Sequence, residues 1–288
     1  MNMHIKSFLH TTLLLGLTLA LLAACGQREE APRPLITVSI EPLHYVADQL
    51  AGDAFNIATL TPDGASPETY QPTPQQVADL TRSSAYIRVG TLGFERTQLE
   101  KLTRNIPHLV YVNASKGIPA LQAADASSSD SGDPHTWTSP REMKHIARNV
   151  SQALCALDTA AAPRIARRLQ AFCTHMDSLE RAVRRQLKDA PCRTFLIYHP
   201  ALGYYARTFG LRQLSVEQDG KEASPRRVEQ LIEECRREGV RVVFIQKEYN
   251  GQTARRIAEA IGARVVVINP LSYQWEEELL HITEELTR

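Results

Sequence analysis

The sequence lacks any strong excess of one charge. Over 288 residues, 33 Lys and Arg side chains stand against 32 Asp and Glu, which gives a formal net charge of +1. A protein that binds nucleic acid is expected to carry a clustered basic patch, and no such cluster occurs here. We therefore expect no nucleic-acid partner.

Long apolar runs are also scarce, and the clearest one is at the start of the chain. Residues 11–24 follow a short basic start, are too short for the roughly 18–20 residues of a membrane span, and end in small residues, which predicts an export signal over residues 1–24. The letters LAACG then resemble a bacterial lipoprotein cleavage box. We expect Cys25 to be acylated and to anchor the protein to the bilayer, with residues 25–34 as a polar tether on the periplasmic or other extracytoplasmic face. The alternative is a plain signal peptide, with Cys25 as an ordinary thiol.

Cysteine pairs with metal-binding or redox spacing are missing from the rest of the chain. Cys155, Cys173, Cys192 and Cys235 show no C-x-x-C spacing, which excludes a zinc knuckle or a redox motif built on it. An oxidising compartment permits disulfides, and four cysteines allow three pairings, which the sequence leaves open.

What is present is an alternation of short apolar strands with helical segments, once in each half of the chain. The predicted strands are 35–40, 56–60, 85–90 and 108–112, then 193–199, 211–217, 240–246 and 264–269. The predicted helices include 44–51, 74–80, 94–102, 141–158, 163–187, 201–210 and 225–238. This pattern predicts an α/β protein with two lobes, each a parallel sheet flanked by helices.

The domain plan follows from this alternation. We predict an N-terminal α/β lobe over 35–160, a linking helix over 161–190 with one continuous apolar stripe, and a C-terminal α/β lobe over 191–288. The small, polar segment 122–133 is predicted to be a mobile loop. Two lobes on one long helix leave a cleft between them.

Three side chains are candidates for a site in that cleft. Glu68 lies in the proline-framed stretch GASPETYQPTP, His135 in DPHTW and His199 at the end of a strand in IYHP. Ligands of α/β sheets bind beyond the carboxyl ends of the strands, where Glu68 and His199 are placed. Two imidazoles and a carboxylate suit zinc and also accept manganese or iron.

Several motifs in the right order resemble the metal-specific solute-binding proteins of bacterial ABC transporters, the zinc and manganese group. The stretches are SIEPLHYVADQLAG, PDGASPETYQPTPQQVADL, DPHTW, YHPALGYYARTFGL and INPLSY, which together cover nearly the whole mature chain. The resemblance implies a two-lobed fold with a linking helix.

The resemblance also implies four ligand positions, filled by Glu68, His135, His199 and Asn269. The family usually has histidine at the first position and aspartate at the fourth. Relative to that pattern, Glu68 adds one negative charge and Asn269 removes one, so the total charge is unchanged. An amide oxygen is a poor zinc ligand, and water or Glu248 is the alternative fourth donor. Residues 114–134 contain no histidine, whereas many zinc members have a histidine-rich loop there. Zinc is the expected metal, with manganese as the alternative.

The resemblance implies a monomeric, lipid-anchored protein that captures the metal and delivers it to an ABC permease subunit in the membrane, and that is not an enzyme. A metal-stabilised adhesin or receptor lipoprotein on the same scaffold is the first alternative. A zinc hydrolase is the second, which the absence of an H-E-x-x-H motif disfavours.

Overall fold

The computed structural model describes residues 33–99, 103, 106–121, 132–218 and 220–288. The predicted signal peptide, Cys25, the tether up to residue 32 and most of the predicted mobile loop lie outside the described residues. Pro34–Arg288 form one compact unit.

Two four-stranded parallel sheets form the core of the two lobes. The strands are β1 Leu35–Val38, β2 Asn56–Thr59, β3 Ala85–Arg88, β4 Val110–Asn113, β5 Thr194–Ile197, β6 Arg212–Ser215, β7 Val242–Gln246 and β8 Arg264–Ile268. The strand orders are β2-β1-β3-β4 and β6-β5-β7-β8. In the second sheet Ile197 is opposite Ser215 on one side and Phe244 on the other. All strands of a sheet therefore end at the same edge, where ligands of parallel sheets bind.

Helices cover the sheets and connect the strands. They are α1 Glu41–Ala51, α2 Pro74–Arg82, α3 Pro140–Leu157, α4 Ala162–Gln186, α5 Gly203–Phe209, α6 Pro225–Glu238, α7 Gln252–Ile261 and α8 Trp275–Thr287. A proline opens α2, α3 and α6, where its missing N–H costs no helical bond, and the preceding Thr73, Ser139 and Ser224 accept a backbone N–H as N-caps. The predicted α/β class is confirmed.

Two predicted helix positions differ from the structure. Helix α1 begins at Glu41 rather than at residue 44, because a proline in its first turn is compatible with helical backbone. In the predicted helix 94–102, Phe94 is α-helical and is followed by a π-helical turn at Glu95–Leu99. The Thr97 hydroxyl donates to the Gly93 carbonyl at 2.9 Å, a side-chain bond of the kind that competes with a regular helical ladder.

Helix α4 is the predicted link between the lobes. Its 25 residues give a length of about 37 Å at 1.5 Å per residue. The predicted apolar stripe is buried at Ile165, Phe172, Met176, Leu179 and Val183. These residues belong to one hydrophobic core that contains strands of both sheets as well as α8. The lobes therefore share a core instead of meeting at a thin hinge.

Indole hydrogen bonds join the lobes next to the cleft. Trp137 Nε1 donates to the Pro270 carbonyl at 2.8 Å, and Trp275 Nε1 donates to the Trp137 carbonyl at 2.8 Å. Tyr45 stacks on Trp275, with ring centroids 6.1 Å apart. Buried bonds of this kind would leave unpaired polar groups if the lobes separated, so they favour a fixed lobe arrangement.

The four cysteines of the described region are free thiols, so none of the three pairings is formed there. Within the same region, none of the helices has the length and hydropathy needed to cross a bilayer.

Candidate metal centre

The loop that carries Glu68 is held by Gln76, the third residue of α2. Gln76 Oε1 accepts from the backbone N–H of Thr73 at 2.9 Å and from the Tyr70 hydroxyl at 2.6 Å. Gln76 Nε2 donates to the Leu60 carbonyl at 2.7 Å. One side chain thus connects the start of the loop with its end, so the proline frame is not its only constraint.

His135 is fixed by the residue two positions before it. Asp133 Oδ1 accepts from the backbone N–H of His135 and lies 2.8 Å from its Nδ1. The Thr138 hydroxyl donates to the His135 carbonyl at 2.9 Å and closes the short 3-10 turn at Thr136–Thr138. The imidazole of His135 is buried, so its orientation is set by these bonds and by the packing around it.

His199 stands two residues beyond the end of β5. The Gln246 side chain accepts from the His199 backbone N–H at 3.3 Å and donates to its carbonyl at 2.6 Å. Glu217 Oε1 lies 3.1 Å from His199 Nδ1, and Tyr249 stacks on the imidazole with ring centroids 5.4 Å apart. Gln246 therefore holds the backbone of His199, while Glu217 and Tyr249 hold its ring.

The two histidines point their other nitrogens at each other. In both rings Nδ1 faces a carboxylate oxygen, which accepts but does not donate when it is ionised, so Nδ1 carries the proton. The neutral rings then have bare lone pairs on Nε2, and the two Nε2 atoms are 3.1 Å apart. Two lone pairs at this distance repel unless a cation, either a proton or a metal ion, lies between them. A tetrahedral zinc ion with Zn–N bonds of about 2.05 Å separates two nitrogens by about 3.3 Å.

The charges around His135 favour its cationic form. Burial lowers the pKa of His135, but the adjacent Asp133 carboxylate, through its charge and its hydrogen bond, and the charges of Glu68 and Glu248 outweigh burial and raise it. Burial likewise raises the pKa of Glu248, against the opposing effects of its own backbone N–H and of His199. The shift of His135 shows that the carboxylates around it favour a positive charge at this position.

Two buried carboxylate oxygens near the histidine pair have no hydrogen-bond donor among the described residues. They are Glu68 Oε1 and Glu248 Oε2. The other oxygen of Glu68, Oε2, accepts from the Gly93 N–H at 2.9 Å. Buried acceptors without donors are rare and costly, and a bound cation is one way to satisfy them.

These groups line one small cavity between the lobes. Its wall consists of Ser66, Pro67, Glu68, His135, Trp137, His199, Ala201, Glu248, Tyr249, Pro270 and Leu271. The free space for a water-sized sphere is about 10 Å³, which is room for a single water molecule or ion and not for an organic solute.

The structure brings Glu68, His135 and His199 together and turns Asn269 to other partners. Asn269 Oδ1 accepts from the Leu271 N–H at 3.3 Å, and its Nδ2 donates to Asp63 Oδ1 at 3.3 Å. Its neighbours Pro270 and Leu271 line the cavity instead. A ligand role for Asn269 stays a prediction, which these contacts do not favour.

Glu68 and Glu248 line the same cavity as the histidine pair, but the carboxylates and the imidazoles do not yet surround one common point. In the described part of the chain, no three His, Cys, Asp or Glu side chains are already arranged to hold a metal ion. The two histidine nitrogens already face each other, while Glu68 and Glu248 line the same cavity.

Sequence reasoning missed the carboxylates behind the two imidazoles. Asp133 is part of the DPH motif, and its place two residues before His135 is the signal that could have found it. Glu217 follows β6 just as His199 follows β5, so the rule that located His199 could also have located Glu217.

A double α/β lobe with an ion-sized, carboxylate-backed histidine pair in its cleft defines a solute-binding protein for a metal cation. The chain belongs to the family of periplasmic zinc-uptake complex component A, ZnuA, whose profile matches residues 36–285. This confirms the family resemblance of the motifs, and the family is one of metal-uptake binding proteins and not of enzymes.

Individual relatives agree with this placement. The chain is 23% identical over 280 residues to the high-affinity zinc uptake system protein ZnuA of Bacillus subtilis (strain 168), covering 90% of this chain and 87% of that protein. It is 23% identical over 288 residues to the zinc-binding lipoprotein AdcA of Streptococcus pneumoniae (strain ATCC BAA-255 / R6), covering 92% of this chain but 56% of that protein. A crystal structure of ZnuA superposes with a TM-score of 0.83 at 30% identity, covering 88% of this chain and 98% of that one.

Proposed function

We propose that the protein captures a divalent transition metal in the cleft, zinc in preference to manganese, and delivers it to the membrane permease of an ABC importer. The observation that carries the proposal is the pair of facing Nε2 atoms 3.1 Å apart, each on a ring whose Nδ1 faces a carboxylate. Imidazole donors suit zinc, whereas manganese prefers a larger number of oxygen donors.

The ligand set of this proposal is His135, His199, Glu68 and, as the fourth donor, Glu248. Two carboxylates balance the two charges of the metal ion. The unpaired Glu248 Oε2 in the cavity wall supports this choice over Asn269, whose amide is engaged by Asp63 and Leu271. Asp133 and Glu217 fix the imidazoles, as outer-shell carboxylates do for metal-bound histidines.

Metal analysis of the purified protein by mass spectrometry, followed by zinc and manganese titrations in a calorimeter, tests the proposal. We expect one metal ion per chain and tighter binding of zinc. Glu248→Gln should weaken zinc binding by more than the roughly 10–100-fold that an outer-shell change costs, whereas Asn269→Ala should change it by less than about 3-fold. The reverse ranking would assign the fourth position to Asn269, and a wild-type protein that binds neither metal would end the proposal.

We also propose that Cys25 carries lipid and that residues 25–34 tether the monomer to the extracytoplasmic face of the membrane. The LAACG box supports this, as does the similarity to AdcA, which is described as a lipoprotein. Acylation stabilises membrane association by about 0.8 kcal/mol per buried methylene group. Cys25→Ser should therefore move the protein from the membrane to the soluble fraction, and continued sedimentation with membranes would contradict the anchor.

A further inference from the structure

The two carboxylate oxygens of Glu68 differ in their hydrogen bonding. Oε2 accepts from the Gly93 N–H at 2.9 Å, while Oε1 is buried without a donor among the described residues. One oxygen of this carboxylate is thus already bound to the protein, and the other is free to bind a cation.

Gly93 can approach Glu68 this closely because it has no side chain. A Cβ atom at Gly93 would lie 2.6 Å from Glu68 Oε2 and 2.9 Å from the backbone oxygen of Glu68, distances that real Cβ contacts essentially never show. Gly93 is not among the residues with positive φ, so its backbone conformation does not itself require glycine. The close approach to Glu68 is what excludes a side chain here.

Gly93 begins a helical segment, and this segment is itself fixed. The buried carboxylate of Glu95 accepts from the Val89 N–H at 2.9 Å and from the Gly90 N–H at 2.6 Å. The Thr97 hydroxyl holds the Gly93 carbonyl from the other side, at 2.9 Å. The Gly93 N–H is therefore presented to Glu68 by a braced turn and not by a freely moving loop.

We propose that Gly93 is a specificity-determining residue that restricts Glu68 to binding the metal through one oxygen. The inference rests on the proposed role of Glu68 as a ligand. With Oε2 retained by Gly93, the site offers two imidazole nitrogens and single oxygens from Glu68 and Glu248. Four donors match the tetrahedral preference of zinc, whereas manganese favours octahedral oxygen-rich coordination.

A double-mutant cycle tests this assignment. Zinc and manganese dissociation constants are measured for the full chain as wild type, Gly93→Ala, Glu68→Ala and the double variant. Arg96→Ala, an exposed change in the same segment, is the matched control. We expect Gly93→Ala to weaken zinc binding by about 10–100-fold, as loss of an outer-shell partner does. Manganese binding should weaken less, Gly93→Ala should have no further effect in the Glu68→Ala background, and Arg96→Ala should match wild type.

Other results separate the inference from the function on which it rests. An equal effect of Gly93→Ala in both backgrounds would overturn it, because the glycine would then act on folding or on another ligand and not through Glu68. An equal loss of zinc and manganese affinity would overturn the role in specificity. If Glu68→Ala binds zinc as tightly as wild type, the proposed ligand role of Glu68 fails, whatever Gly93→Ala does.

Discussion

The two lobes have the same strand order but hold their site residues differently. In the C-terminal lobe, His199, Glu217 and Glu248 each stand two residues beyond the end of a strand, namely β5, β6 and β7. In the N-terminal lobe, Glu68 is nine residues beyond the end of β2 at Thr59, and His135 is 22 residues beyond the end of β4 at Asn113.

The difference shows two ways to position a proposed metal ligand. A residue next to a strand end takes its backbone position from the hydrogen-bonded sheet, and Glu217 and Tyr249 then orient the His199 ring. A residue far along a loop needs contacts of its own, since loops are otherwise the more mobile parts of a fold. The N-terminal lobe supplies these contacts through Gln76 for the Glu68 loop, Gly93 for the Glu68 carboxylate and Asp133 for His135.

The largest loss of zinc affinity is expected for the histidine pair, to which each lobe contributes one residue. His135→Ala and His199→Ala each remove one of the two facing nitrogens, so each should weaken zinc binding by more than the roughly 100-fold that an outer-shell change can cost. Calorimetric titration checks this, with the exposed His108→Ala as the control. A variant of either lobe that retains tight binding would show that the histidine pair is not the metal centre.

Acidification should act mainly through His135, the histidine of the N-terminal lobe. Its raised pKa means that it is protonated below the usual value of about 6.5 and loses the proton only as the pH rises above that value. Protons therefore begin to compete with zinc at a pH above 6.5. As the pH falls further, zinc affinity should decrease about tenfold per pH unit for each proton that zinc binding releases. Titrations between pH 8 and pH 5 should show this slope, and a flat profile would contradict it.

Removing the carboxylate that faces the Nδ1 atom of each histidine should weaken zinc binding by a different amount in each lobe. Asp133→Ala and Glu217→Ala each should weaken zinc binding by about 10–100-fold. Asp133 should have the larger effect, because it binds both the backbone and the ring of His135, whereas Gln246 still holds the His199 backbone after Glu217 is lost. Zinc competition with a chromophoric chelator measures both variants, and a larger effect of Glu217→Ala would reverse the comparison.

Most of the fold could be predicted from the sequence, because strand and helix periodicity, initiating prolines and serine or threonine caps act locally. The candidate site could be predicted as far as it follows strand ends or sequence motifs, which applies to the meeting of His199, His135 and Glu68 in one cavity wall. The roles of Gly93 and Gln76 could not be predicted, since they depend on contacts between segments distant in sequence. The turn of Asn269 toward Asp63 likewise arises from a contact between the two lobes.

The smallest loss of zinc affinity is expected from a contact between Gly203 of the C-terminal lobe and Asp133 of the N-terminal lobe. Gly203, the first residue of α5, lies so close to Asp133 that a Cβ atom there would be 2.3 Å from Asp133 Oδ2. Gly203→Ala should displace that carboxylate and loosen its hold on His135, which we expect to weaken zinc binding by about 3–10-fold, at or below the lower end of outer-shell effects. A Cβ atom there would also lie 2.9 Å from Leu121 Cδ2, so the metal-free variant should unfold at a somewhat lower temperature than wild type. The same substitution in the Asp133→Ala background should leave zinc affinity unchanged. A loss of affinity in that background would mean that Gly203 acts on the site by some route other than Asp133.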